Sequence, residues 1–320
     1  MRALALAVAA LLTGCSAHRS DVSVPQVHAV VSQTSSVSRP TQSGDPSQLP
    51  PLADGDLNVN LVLLDRTIEI APGLNYHAWT FNGTVPGPVV HARVGQQINV
   101  SLTNKSMMGH SIDFHSALAP ADIAYQTIAP GQTIHYSWVA RYPGVFLYHC
   151  GTPPVLAHIS NGMYGAVVVD PKDGWGPDAR AYVLLQSEFY THALEGHPNQ
   201  YVGDMQKMKS SMPDVVEFNG SAFQYMRRPL PVGVGKLVRL FIVNAGPSHF
   251  SAFHVVGTIF DRVAVGGNPE NTMHGLQTVT IAPGDGAMAE FTVQQASRYP
   301  FVTHSFGDAD AGAMGAFDAH

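Results

Sequence analysis

Charge is scarce in this sequence: 12 % of its 320 residues are Asp, Glu, Lys or Arg, about half the ~25 % of an ordinary globular chain. Its net charge of -6 gives no electrostatic reason to expect nucleic acid as a partner. Cysteine is almost absent, with only Cys15 and Cys150. If Cys15 is consumed by processing, Cys150 has no partner, and a disulfide framework is excluded. Helical signals are few, residues 203–211 being one candidate. What remains is 45 % hydrophobic residues, 30 Gly, 23 Pro and 16 His. That is enough apolar material for two cores, with the turn residues of an all-β chain. A single thiol among so many histidines points to metal chemistry.

The N-terminus has a short basic start (Met1, Arg2) and an apolar run over residues 3–12. The run is too short to span a bilayer and reads as the core of an export signal. It ends in Leu12-Thr13-Gly14-Cys15, which resembles the lipobox of bacterial lipoproteins, with Cys15 as the lipidated residue. Residues 1–14 are therefore expected to be a signal peptide, and residues 15–55, rich in Ser, Pro, Gln and Thr, a flexible tether. The implied location is outside the cytoplasm, lipid-anchored at a bacterial membrane, periplasmic or at the cell surface.

After the tether the sequence repeats. Phe81-Asn82-Gly83 returns as Phe218-Asn219-Gly220, Ala129-Pro130-Gly131 as Ala282-Pro283-Gly284, and Arg141-Tyr142-Pro143 as Arg298-Tyr299-Pro300. Short β-branched segments (97–102, 166–169, 237–243) separated by Pro-Gly turns give both copies the pattern of a Greek-key β-sandwich. The expected organisation is all-β: two tandem cupredoxin-like domains, 56–172 and 178–320.

Cys150, His158 and Met163 follow one another at spacings of eight and five residues, and His110 lies upstream. Thiolate, two imidazoles and a thioether are the donors of a type 1 copper. Neighbouring side chains of a strand point to opposite faces. His149 must therefore diverge from Cys150, and His115 from His110, while Asp113 and His115 share a face. Parity thus sorts two sites, His110 with Cys150, and Asp113 with His115 and His149. Aligned along the sequence, His304 falls at the repeat position of His149, His254 at that of His115, and His249 at that of His110. In the same alignment Ser305 replaces Cys150, and no counterpart of the His158–Met163 loop follows. His249 is then expected to be structural.

These residues resemble the copper-containing nitrite reductases, whose loop runs H-C-x7-H-x4-M. The resemblance covers the whole chain after the tether. It implies type 1 copper ligands at His110, Cys150, His158 and Met163. Type 2 copper ligands are implied at His115, His149 and, from the adjacent subunit of a homotrimer, His304. It implies catalytic roles for Asp113 and His254. Departures lie at residues 116–123, shorter than usual, and at residues 305–311, where bulkier residues are usual. The implied reaction is one-electron reduction of nitrite to nitric oxide, the electron coming from a small redox protein, a cupredoxin or a cytochrome c. Asp113 and His254 would supply the protons. A two-domain multicopper oxidase is the chief alternative, but its trinuclear cluster needs H-x-H pairs, and the chain has none. A one-copper electron carrier is the other alternative and has no use for Asp113 or His254.

Overall fold

The computed structural model describes residues 30–32 and 45–320. Cys15 and the expected signal segment lie outside the described residues. The first half is a sandwich of a seven-stranded and a four-stranded sheet. The larger runs in the order Val30–Ser32, Thr133–Val139, Gln97–Asn104, Leu57–Ala71, Leu74–Phe81, Gln200–Gly203, Thr191–Ala193. The smaller runs Val90–Arg93, Tyr164–Asp170, Gly144–His149, Asp113–Phe114. The second half pairs a six-stranded sheet with a five-stranded one. The first of these runs Val215–Phe218, Arg180–Phe189, Leu237–Gly246, Gly286–Thr292, Arg262–Val265, Thr272–Met273. The second runs Leu230–Val232, Met314–Ala319, Arg298–Thr303, Ser251–Val255, Val279–Ile281.

The repeated Asn-Gly turns have one physical role in both halves. Asn82 and Asn219 take positive φ (57° and 60°), a conformation that Asn tolerates better than most residues. Each side chain then ties the turn to the neighbouring strand: Asn82 Oδ1 accepts from Val62 N, and Asn219 Oδ1 accepts from Leu185 N at 2.7 Å. Gly220 also fits because a Cβ there would lie 2.0 Å from the Val85 carbonyl oxygen, where the halves meet.

The halves share a core. Val145, Leu147, Ala166 and Val168 of the smaller first-half sheet pack on Val183, Leu185, Phe241, Val243 and Met288. Strands Tyr164–Asp170 and Leu237–Gly246 are therefore covered on both faces, which accounts for the unbroken apolar runs at 166–169 and 240–243. A buried chain of hydrogen bonds from Tyr164 through Ser187 to Glu217 crosses the junction. Burial pushes the Glu217 carboxyl up to about 8.

Two features depart from the sequence expectation. The tether does not reach residue 55. Val30–Ser32 pairs as an edge strand with Thr133–Val139, the Ser47 carbonyl accepts from Val183 N at 2.8 Å, and Leu49 packs against the shared core. In addition, Thr191–Ala193 and Gln200–Gly203, from the second half, extend the first half's sheet, with Gln200 paired to Asn75 and Tyr201 to Tyr76. The expected helix at 203–211 forms over Met205–Lys209, its Asp204 side chain accepting from Gln206 N and Lys207 N.

Candidate metal centres

The first cluster is buried inside the first sandwich. His110 Nδ1 and His158 Nδ1 lie 3.0 Å apart, with Cys150 Sγ 3.2 Å from His158 Nδ1 and 3.9 Å from His110 Nδ1. Strand Gly144–His149 delivers Cys150, and the short helix Val155–Ser160 returns His158. Gly162 (φ 108°) then turns the chain so that the Cys150 N–H donates to the Met163 carbonyl at 3.0 Å. Met163 is fully buried beside the cluster. Burial holds both imidazoles down near 4, for His110 with added repulsion from His158. Two neutral imidazole nitrogens and a sulfur are thus aimed at one point. The donor set fits a soft, trigonally held metal such as copper.

Sequence reasoning missed the groups around this cluster. Ser111 donates its N–H to Cys150 Sγ (3.4 Å), and its Oγ accepts from Gly151 N (3.0 Å). Trp79 packs on the His158 ring, centroids 4.9 Å apart, and on His110 at 5.8 Å. Outside Trp79 a cavity of about 300 Å³ is lined by His77, Met205 and Met208. Trp79 lies on a different strand from every cysteine and histidine of the cluster, so no spacing rule reaches it.

The second cluster lies on the other face of the same strands. Asp113 pairs with His149 across the ladder, and the His115 N–H donates to the Leu147 carbonyl. His115 Nε2 and His149 Nε2 approach to 3.1 Å, and Asp113 Oδ2 is 3.6 Å from each. Both tautomers are set from behind: His115 Nδ1 donates to the Gly284 carbonyl (3.0 Å) and His149 Nδ1 to the Cys150 carbonyl (2.9 Å). The protons therefore sit on Nδ1, and both Nε2 lone pairs face the same space, the arrangement of metal-bound histidines. Burial lowers the His149 pKa, which favours the neutral ring. Tyr125, also unforeseen, lies against Gly151, and burial followed by the Asp113 carboxylate pushes its phenol upward.

His254 and His304 form a separate pair on the second half, ring centroids 5.1 Å apart, outside the Asp113 cluster of this chain. His304 is exposed, with Phe306 against its ring. His254 Nδ1 donates to the Gln277 carbonyl.

The hydrogen-bond ladders correct the repeat alignment. Asn104 Nδ2 donates to the Met108 and Ile128 carbonyls, and Asn244 Nδ2 donates to those of His249 and Ile281. His110 bridges Ile128, whereas Ser251 pairs with Ile281. The Ser111 N–H donates to Cys150 Sγ; the Ala252 N–H donates to Thr303 Oγ1 at 3.0 Å. Met163 N donates to the His158 carbonyl, and Ala313 N to that of Asp308. Ser251, Thr303, Asp308 and Ala313 thus stand where the first half has His110, Cys150, His158 and Met163. His249 stands at the Met108 position and His254 at that of Asp113, while His304 follows the Cys150 counterpart instead of preceding it. A counterpart of the His158–Met163 loop does follow, as helix Phe306–Asp310 and Gly312. The error is an even register shift, which leaves every side chain on its face.

Residues 65–174 match the family model described as multicopper oxidase. The chain is 35 % identical over 278 residues to a copper-containing nitrite reductase of Neisseria gonorrhoeae, covering 84 % of this chain and 70 % of that protein. A solved copper nitrite reductase from Nitrosomonas europaea superposes with a TM-score of 0.77 at 36 % identity, covering 83 % of this chain and 94 % of the other. A solved multicopper oxidase superposes with a TM-score of 0.73 at 28 % identity, over 86 % and 94 %.

Proposed function

The chain belongs to the copper-containing nitrite reductases, and on that premise we propose that it reduces nitrite to nitric oxide with one type 1 and one type 2 copper per chain. The observation that carries this is the adjacency of His149 and Cys150: two consecutive residues serve two donor clusters on opposite faces of one strand. Copper held by His110, Cys150, His158 and Met163, and by His115 and His149, would supply the one-electron chemistry. The balance is one nitrite, one electron and two protons to one nitric oxide and one water.

The chain's own residues hold the nitrite and move the protons. Asp113 lies 3.6 Å from both Nε2 atoms, at the mouth of the donor cluster, where it can give a proton to nitrite bound there. His254 keeps its Nδ1–H on the Gln277 carbonyl, so Nε2 is the nitrogen left to carry the second proton. Gly284 and the Cys150 carbonyl keep His115 and His149 from rotating. Trp79 and the neighbouring cavity give a redox-protein donor, a cupredoxin or cytochrome c, an approach to His158.

His304 is too far from the Asp113 cluster of its own chain to join it. A closed C₃ homotrimer would bring His304 and His254 of one subunit to Asp113, His115 and His149 of the next. The exposed apolar side chains Phe250, Val256 and Phe306 beside these two histidines suit such a contact. At the N-terminus, lipidation at Cys15 would anchor the trimer to the membrane.

The deciding experiment is nitric oxide release from nitrite with an artificial reductant, read beside copper content. Two coppers per chain with nitric oxide release is the expected result. Four coppers with oxygen consumption would make the protein a multicopper oxidase instead, and one copper without turnover would make it a carrier.

A further inference from the structure

In the first half the helix that carries His158 meets the strand region where His158, His110 and Cys150 converge. The second half keeps the backbone of that arrangement and replaces its donors. Asp308, at the His158 position, is 4 % exposed, and its Oδ1 lies 2.8 Å from His249 Nδ1. The other ring nitrogen, His249 Nε2, lies 3.0 Å from the Ser211 carbonyl oxygen. Both ring nitrogens of His249 thus face oxygen atoms, and with Asp308 ionised a doubly protonated ring satisfies both. Glu188, buried and bonded by Tyr190, takes the backbone N–H groups of Ser248 and His249 and so fixes the backbone from which the ring projects.

The carboxylate so held belongs to helix Phe306–Asp310, which begins directly after His304 and Ser305. The helix ends on Gly312, with Ala313 N donating to the Asp308 carbonyl at 3.0 Å. Phe306, on the first turn, packs its ring on His304 at 5.1 Å between centroids. Motion of Asp308 would therefore move both the helix and the histidine it follows.

We propose, on the premise that His304 is a type 2 copper ligand, that His249 and Asp308 are positioning residues, an imidazolium–carboxylate clamp that sets His304 and its helix where the first half uses a metal. Neither residue touches the ligand position itself. The clamp also ties in Ser211, just beyond helix Met205–Lys209, so the His304 segment and the cavity outside Trp79 are braced by one side chain.

The test uses the full chain loaded with copper and then challenged with a chelator, with type 2 copper followed by its electron paramagnetic resonance signal. The blue absorption of the type 1 centre on the same samples reports the fold. Asp308→Asn and His249→Gln should each weaken type 2 retention about 10-fold or more, the usual range for groups that orient a metal ligand. The type 1 absorption should be unchanged, and the double variant should be no worse than the weaker single one. Type 2 retention equal to wild type in both single variants would overturn the proposal. So would additive losses, or parallel loss of type 1 absorption, which would mark a general role in folding. His304→Ala is run beside them. If it keeps its type 2 copper, the ligand assignment itself is wrong. If it loses the copper while the clamp variants do not, the positioning role alone fails.

Discussion

The two halves of the molecule hold the same loop by different chemistry. In the first, strand Gly144–His149, the helix Val155–Ser160 and Met163 surround three convergent donor atoms, and burial holds the two imidazoles among them neutral. In the second, Thr303, helix Phe306–Asp310 and Ala313 repeat the backbone, and a hydrogen-bonded Asp308–His249 pair fills the place of the donors. Ser251, at the His110 position, donates to Gln186 and closes the remaining space. The same frame thus carries a set of metal donors at this point in one half and a hydrogen-bonded Asp308–His249 pair in the other. Only the metal version brings redox chemistry.

Deleting the Cys150 sulfur should have the largest effect. Cys150→Ala should abolish the strong visible absorption and donor-driven turnover entirely, while the His115–His149–His304 copper remains measurable by its magnetic resonance signal. Colour surviving in that variant would mean that the first half holds no type 1 centre.

A second test separates the proton groups from the ligands. Asp113→Asn and His254→Ala should keep both coppers and the visible spectrum, yet lower nitrite turnover by roughly 10²-fold or more. Copper content and turnover are measured on the same samples. Unchanged turnover per type 2 copper would reduce Asp113 to a cap and His254 to interface packing.

A type 1 donor set can be built into the second half. The quadruple change Ser251→His, Thr303→Cys, Asp308→His and Ala313→Met places the four type 1 donor types on the matching backbone positions. Three coppers per chain and about twice the blue absorption are expected, since type 1 absorption tracks the number of thiolate–copper bonds. If the four positions do not correspond as the ladders indicate, the copper count stays at two.

The smallest expected effect is a pH dependence of stability. Burial lowers the His249 pKa, but the hydrogen bond to Asp308, the charge of Glu188 and the Ser211 carbonyl outweigh it, and the net shift is upward. A group whose folded pKa is raised contributes fully below its unfolded value, near 6.5, and loses that contribution as pH rises through the folded value. The thermal midpoint of wild type should therefore exceed that of Asp308→Asn by most near pH 6 or below, and by less above neutrality. Parallel curves for the two proteins across this range would show that His249 carries no proton-linked stability.

Much of the site was legible from local rules. Parity places Asp113 with His115 and His149, and sets them apart from His110 and Cys150, because a strand offers only two faces. The Asn-Gly turns announce themselves, since few residues other than Asn and Gly accept positive φ. Register was not legible. The sequence alignment put His304 opposite His149 and His254 opposite His115, and the ladders move both by two residues. A two-residue slip preserves the alternation of apolar and polar positions, so no hydrophobic pattern can detect it.

What the sequence alone determined is therefore whatever depends on near neighbours along the chain: strand faces, turns, the Cys150–His158–Met163 spacing and the repeat itself. Tertiary structure decided what depends on groups distant in sequence meeting in space. It brought Gly284 behind His115 and Trp79 against His158, and it gave Asp308 the partner His249. It also laid residues 191–203 onto the first half's sheet and residues 45–51 across the junction. These contacts are chosen by which surfaces must be covered and which buried donors must find acceptors, a balance struck over the whole fold and in no one stretch of it.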